Sequence, residues 1–267
     1  MFSLALKKFD KLRKTRFNKK EYDLSSSELF ELVLTKNIKK GPLYLMDLPV
    51  NFILLLLSLY SITKAKIKKI QKVNYFIAFN DEIYDPRTQN YISKIKQEKF
   101  LNIIRANTLK VSLNAFMKYE NVFFHQSIVY FSRFFFKEKE FTIEKKFLHI
   151  QRCNLRKQKI YLFFFKFLKI KKLIMIDDYR EIQGFINICK KINILSIGIM
   201  HSRFSKFRVS LKYNCFDQYI VWTQYFKKKL IEINSKYKNK VIINNFRNFK
   251  RIKKKQLNNE NRILFFT

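Results

Sequence analysis

The sequence predicts an α/β protein: a Rossmann-like, mostly parallel sheet with helices on both faces. Three observations carry that prediction. Short apolar runs alternate with helix-length patterns through the second half of the 267 residues. The connection between two such runs is roughly 17 residues, the length a right-handed parallel crossover needs. Apolar residues make up 48% of the chain, enough to cover both faces of such a sheet.

Taken in order, the chain opens with "MFSLALKKFDKLRKTRFNKK". Its apolar start is too short for a signal peptide. It reads either as a basic amphipathic helix suited to an acidic lipid leaflet or as a solvated lead-in. The segment Leu43 to Ile62 is the most apolar, but Asp47, Pro49 and Asn51 interrupt it. A spanning helix needs about 20 mostly apolar residues, so a buried or membrane-apposed helix is the expectation. Val73 to Phe79 reads as a strand, residues from Lys99 to Tyr119 as a helix, Asn121 to Phe124 as a strand, and Ile143 to Phe167 as a long Phe-rich helix.

The second half is more regular. Leu173 to Ile176 is a short apolar run that stops at Asp177 and Asp178. Ile182, Phe185, Ile186 and Cys189 follow at i, i+3, i+4 and i+7, the spacing of one helix face. Asp178 is expected to cap that helix. Ile194 to Met200 is the next strand, Asp217 to Thr223 another, Gln224 to Tyr237 a helix, and Lys240 to Asn245 a further strand. A basic linker then leads to "ILFFT", Ile263 to Thr267, which reads as the first strand of something further.

The net charge is +36. It invites a nucleic-acid or anionic-membrane reading. AT-rich codons favour the Lys, Asn, Ile, Phe and Tyr that dominate this chain, so base composition accounts for part of the excess. The Phe-rich basic stretches follow core-like runs, and no RNP-like, zinc-knuckle or KH-type pattern occurs. No specific nucleic acid is expected as a partner. Only three glycines are present, and no GxGxxG or GxxxxGK[ST], which excludes Gly-rich phosphate cradles as the main device. Cys153, Cys189 and Cys215 are scattered and odd in number, against both a disulfide framework and a zinc site. No metal and no cofactor bound by this chain are expected, and the setting is a reducing one.

In open parallel sheets ligands bind beyond the carboxyl ends of the strands. Asp177, Asp178, His201, Ser202, Thr223 and Asn244 all fall at such ends. His201 stands where "SIGIM" gives way to the basic "HSRFSKF". A neutral imidazole there suits general-base work. A histidine bonded to a loop carbonyl is the plainer reading. Asp177 and Asp178 are adjacent, which gives neither a paired-carboxylate geometry nor a DxD motif. His125, in "VFFHQS", reads as an ordinary core-edge histidine, His149 receives no role, and Trp222 reads as core.

The order "LIMIDDY", "KINILSIGIMHS", "YIVWTQYFKKKL", "KVIINNFRNF" and "RILFFT" resembles the N-terminal domain of GT-B glycosyltransferases. It is most similar to those that build capsules, surface polysaccharides or teichoic-acid-type polymers, including the CDP-glycerol glycerophosphotransferase-like group. The resemblance covers about a third of the chain well and rests on order and spacing. It implies that His201 takes the place of the histidine in the family's Gln-His-Gly motif, as general base towards an acceptor hydroxyl. Met200 and Ser202 stand where the family has Gln and Gly.

The resemblance further implies an acceptor-side domain for a lipid-linked or polyanionic glycan. Asp178, Ser202, Arg203, Lys206 and Asn244 would contact substrate. The nucleotide-activated donor belongs to a C-terminal domain that this chain lacks, so an incomplete enzyme, inactive by itself, is expected. The expected organisation is a basic helical region over 1–72, the acceptor-side domain over 73–250, and a linker with a first further strand over 251–267. The expected place is the inner face of the cell membrane, held peripherally on an anionic lipid surface. A basic nucleic-acid-binding protein and an inactive membrane-associated remnant stay open as alternatives.

Overall fold

The computed structural model describes residues 7, 9–11, 30, 48–78, 99–106, 108–133, 143–176, 181–200 and 209–244. Among them run helix α1 (Leu48–Ile67), strand β1 (Lys72–Ala78), β2 (Leu101–Ala106), α2 (Leu109–Lys118), β3 (Val122–Phe124), α3 (His125–Arg133) and α4 (Ile143–Phe167). There follow β4 (Lys172–Ile176), α5 (Ile182–Lys191), β5 (Leu195–Ile199), α6 (Val209–Tyr213), β6 (Gln218–Val221), α7 (Gln224–Ile233), a 3₁₀ turn (Ser235–Tyr237) and β7 (Val241–Ile243). The strands form one seven-stranded sheet in the order 3-2-1-4-5-6-7. Every pairing is parallel. The expected α/β class and parallel Rossmann-like sheet are what the protein has.

A parallel sheet is buried on both faces, and two apolar clusters fill the two sides. One gathers Val73, Tyr75, Met175, Tyr161, Phe165 and Phe185 under α4 and α5. The other gathers Phe76, Ile104, Ile174 and Ile199 with Val111 and Ala115 of α2. Successive residues of β1 point to opposite clusters, as strand geometry requires.

The strand readings at 73–79, 121–124, 173–176, 194–200, 217–223 and 240–245 all lie on observed strands, and the long helix is α4. The single helix expected over Lys99 to Tyr119 is corrected. Its first part is β2, a central strand, and only Leu109–Lys118 is helical, started by Thr108, whose hydroxyl accepts from the Val111 N–H at 3.2 Å. "LNIIRA" reads equally well as buried strand or helix by composition, and position in the sheet decided it. The helix after β4 begins at Ile182 with Glu181 in the capping position, so Asp178 is not its N-cap. Asp178 itself lies outside the described residues.

The apolar segment forms α1, packed along β3. Leu54 belongs to one core cluster and Ile62 and Ala65 to the other, so the helix straddles the edge of the sheet. An edge strand offers unpaired backbone groups. Ser58 answers one of them: its Oγ accepts the Phe124 N–H at 2.9 Å and donates to the Leu54 carbonyl at 2.7 Å. The N-terminal segment touches the same body. Phe9 is buried against Phe30 and Tyr213, and Asp10 bonds Lys212 at 3.3 Å and the Tyr213 hydroxyl. At Phe9, then, the amphipathic lead-in packs on protein.

Three helices that feed strands end in the same way. Lys69, Lys169 and Asn193 take left-handed φ values of 52°, 54° and 56°. The next residue, Ile70, Ile170 or Ile194, is buried and donates its N–H back to Ala65, Phe165 or Cys189. This is the Schellman closure, which other proteins usually build with glycine. Gly198, in contrast, sits where no side chain fits. A Cβ there would lie 2.5 Å from Tyr219 and 2.7 Å from Phe216, two fully buried rings.

Two substitutions should therefore move stability in opposite directions. Gly198→Ala should destabilise by about 1–3 kcal/mol, the usual cost of overpacking a tight core. Lys169→Gly should stabilise by about 0.5–1 kcal/mol, because relief of left-handed strain exceeds the entropy a glycine adds to the unfolded chain. Urea midpoints at unchanged slope measure both.

Candidate functional site

Strand order reverses between β1 and β4, and the crevice beyond their carboxyl ends is where such sheets place ligands. The connections that follow β1 and β4, residues 79–98 and 177–180, lie outside the described residues. So do His201, Ser202, Arg203 and Lys206, as do Asp177 and Asp178. What is described is the ground they stand on. Asp177 follows Ile176, the last residue of β4. His201 follows Met200, whose N–H still donates to Ile220 at 2.9 Å as the ladder of β5 ends. Strands β4 and β5 are hydrogen-bonded neighbours.

Asn244 is described. It is exposed, and its N–H donates to the Val221 carbonyl at 2.9 Å. It ends β7, three strands from β4, which places it about 14 Å along the sheet from the reversal at the usual strand spacing. Trp222 is buried, as expected of core.

Sequence reasoning missed a buried polar group on the carboxyl side of the same sheet. His125 comes directly after β3 and is 0% exposed. Its Nδ1 lies 2.6 Å from the Tyr161 hydroxyl of α4. Its Nε2 lies 3.2 Å from Oε1 of Glu181. Both carboxylate oxygens of Glu181 accept from Lys157 Nζ at 3.0 Å. Tyr75 and Phe185 pack edge-on and tilted against the imidazole.

The protonation pattern follows from the surroundings. Burial raises the Tyr161 hydroxyl well above its usual range, and the charge on Glu181 adds to it. Tyr161 therefore stays protonated and donates to Nδ1, so the neutral imidazole carries its proton on Nε2, facing Glu181. Burial lowers the His125 pKa more than Glu181 raises it. For Glu181 burial works towards the neutral acid, but Lys157, His125 and Arg105 outweigh it and hold the carboxyl well below its usual range. The result is a neutral histidine wedged between a hydroxyl and an ion pair.

Two helical stripes bring this group to a crevice. Asn154, Lys157, Gln158 and Tyr161 lie at i, i+3, i+4 and i+7 on α4, and Glu181, Gly184, Phe185 and Ile188 repeat that spacing at the start of α5. They face one another around a cleft of about 290 Å³, counting the part open to solvent. Its enclosed part has room for about one water molecule, too little for a sugar or nucleotide ring. The polar spacing on α4 was the available signal, and it was hidden by the Phe-rich run that follows. The group ties the end of β3, the middle of α4 and the start of α5 together.

Among the described residues no three His, Cys, Asp or Glu side chains are grouped to hold a metal. The three cysteines are buried and outside any disulfide, and burial pushes up the thiols of Cys189 and Cys215, which leaves them poor nucleophiles. Of the Phe-rich basic stretch, Phe165 is committed to the core, whereas Phe163 and Phe167 are exposed and stack on each other.

The buried group makes stability depend on acid in two stages. A histidine whose folded pKa is lowered binds its proton first in the unfolded chain, so its contribution is whole above pH 6.5 and falls as pH drops below that value. Glu181, also lowered, contributes fully above pH 4.5 and loses its contribution below it. His125→Gln should flatten the melting temperature between pH 6.5 and 4.5 while leaving the steeper fall below. Lys157→Met, which strands a buried carboxylate, should cost about 3 kcal/mol at neutral pH. Thermal melts across pH check both. Set against known proteins, the chain matches no family model, no curated protein and no solved structure, so what it does has to be read from the carboxyl rim of its sheet.

Proposed function

We propose that this chain is the acceptor-side, Rossmann-like half of an inverting GT-B-like glycosyltransferase or glycerophosphotransferase. It would act in surface-polysaccharide synthesis, with His201 deprotonating the acceptor hydroxyl. One observation carries the reading. The sheet has the 3-2-1-4-5-6 order of nucleotide-binding folds, yet no glycine lies between Gly41 and Gly184. The turn after β1, where a dinucleotide's pyrophosphate would need close backbone approach, therefore has no residue that permits it. The strand order has the reversal at which such folds bind ligands, and the usual glycine-based phosphate device is missing from the sequence. That combination favours a polar or anionic acceptor over a dinucleotide. The donor nucleotide falls to a second domain in this reading.

His201 follows β5, the strand beside β4, on the second-half side of the reversal. Arg203 and Lys206, close behind it in sequence, would hold phosphate or carboxylate groups of the acceptor, with Asp178 and Ser202 as hydrogen-bonding neighbours. Asn244, at the end of β7, would meet only an extended acceptor.

The three histidines make the test simple. In imidazole NMR spectra, a polyanionic glycan should shift the His201 signal and leave His125, buried and already bonded to Tyr161, unmoved. NAD should shift none. In a transfer assay with a nucleotide-activated donor, His201→Ala should slow transfer by about 10²–10⁴-fold, the usual contribution of a general base. An unchanged transfer rate would remove His201 from catalysis.

A further inference from the structure

The helix that seals the sheet edge is turned the wrong way for water. Toward the protein α1 buries Asn51, Ser58 and Ser61 beside Leu54, Ile62 and Ala65. Toward solvent it shows Phe52 at 52%, Ile53 at 51%, Leu56 at 50%, Leu59 at 41% and Tyr60 at 60% exposure. These five fall at i, i+1, i+4, i+7 and i+8, one continuous stripe. The outward face is thus more apolar than the inward one, the reverse of a soluble surface helix.

Two further observations identify what covers the stripe. The helix contains no acidic residue, and at its carboxyl end Lys64, Lys66, Lys68 and Lys69 stand against a single glutamate, Glu120, which pairs with Lys64 and Lys68. An apolar stripe with a basic flank complements an anionic bilayer, where rings and aliphatic chains enter the headgroup boundary and lysines meet phosphates. A second copy of the chain would instead bring +36 against +36. The helix is long and apolar enough by composition to cross a membrane. However, the Ser58 bond to Phe124 and the seating of Leu54 and Ile62 in the two core clusters hold it lengthwise on β3. On the Leu54 side of the sheet, α2 exposes Leu109, Leu113 and Met117 as a second stripe.

We propose that the outward stripe of α1 docks this protein, lying in the membrane plane, on an anionic lipid bilayer. The inference is independent of any role for His201. The full chain should co-sediment with phosphatidylcholine vesicles containing phosphatidylglycerol at physiological salt. The variant F52S/L56S/Y60S should lower that partition by about tenfold or more, with its melting temperature unchanged because the three side chains are half exposed. Tyr60→Ser, the mildest change, should fall between. The proposal is overturned if the triple variant partitions like the wild type, which would reduce binding to diffuse charge. It is equally overturned if the wild type stays off anionic vesicles, or if the stripe instead forms a concentration-dependent dimer that the same substitutions abolish.

Discussion

Every strand of this sheet points the same way, and the rest of the molecule follows from that one constraint. Parallel neighbours cannot be joined by tight turns, so each strand is followed by a return path over one face. All chain reversals are thereby sorted onto two rims. At the amino rim the helices must stop and turn into strands within a few residues. The chain solves this with left-handed Lys69, Lys169 and Asn193, each backed by a buried isoleucine. The energetic strain of a non-glycine residue there is tolerated because the isoleucine contact and the back-bonded N–H fix the exit. At the amino end Asp217 adds a further tie, accepting from both the N–H and the hydroxyl of Ser196 at 2.8 and 2.7 Å.

At the carboxyl rim, the described residues show how a charge can be buried. Glu181 stays ionised under burial because three positive or polarised groups converge on it from different elements: Lys157 of α4, His125 after β3 and Arg105 of β2. Removing any one leaves the others mismatched, which is how buried ion pairs act more through specificity than through net stability. The tautomer of His125 depends in turn on Tyr161 remaining protonated. Such a group is rigid by construction. It suits a hinge point that positions the connection after β4 better than it suits a base that must gain and lose a proton in every turnover.

Much of the fold was legible because parallel strands announce themselves as short apolar runs: "KLIMI" and "LSIGI" needed no context beyond their flanking polar loops. "LNIIRA" failed the same test because an apolar run of that length, followed closely by a genuine helix, has no period that separates strand from helix. The capping role given to Asp178 failed for a related reason. Helix starts shift easily by a turn, and Glu181 occupies the position without making a side-chain cap bond. The polar group was illegible for a deeper one. His125, Lys157, Tyr161 and Glu181 are scattered over 57 positions, from 125 to 181, and only the crossover from β3 to β4 brings them together. The exposed stripe of α1 was hidden differently. The segment is apolar on nearly every side, and only the edge strand it covers determines which side is inward.

The charge of the chain finally decides how its surface should be understood. Five of the described acids have partners: Asp10 with Lys212, Glu120 with Lys64 and Lys68, Glu181 with Lys157, Asp217 with Ser196, Glu232 with Lys229. With 56 basic residues against 20 acidic ones, basic side chains far outnumber the acids that could pair with them. A surface of that kind attracts any polyanion weakly and with strong dependence on salt. Charge therefore cannot choose among nucleic acid, anionic glycan and anionic lipid. Phe123, Phe124, Phe165, Phe185 and Phe216 are spent in the core, whereas Phe163 and Phe167 are exposed and stack on each other. The exposed apolar side chains of α1 form a continuous helical stripe, and the proposed lipid docking rests on that stripe.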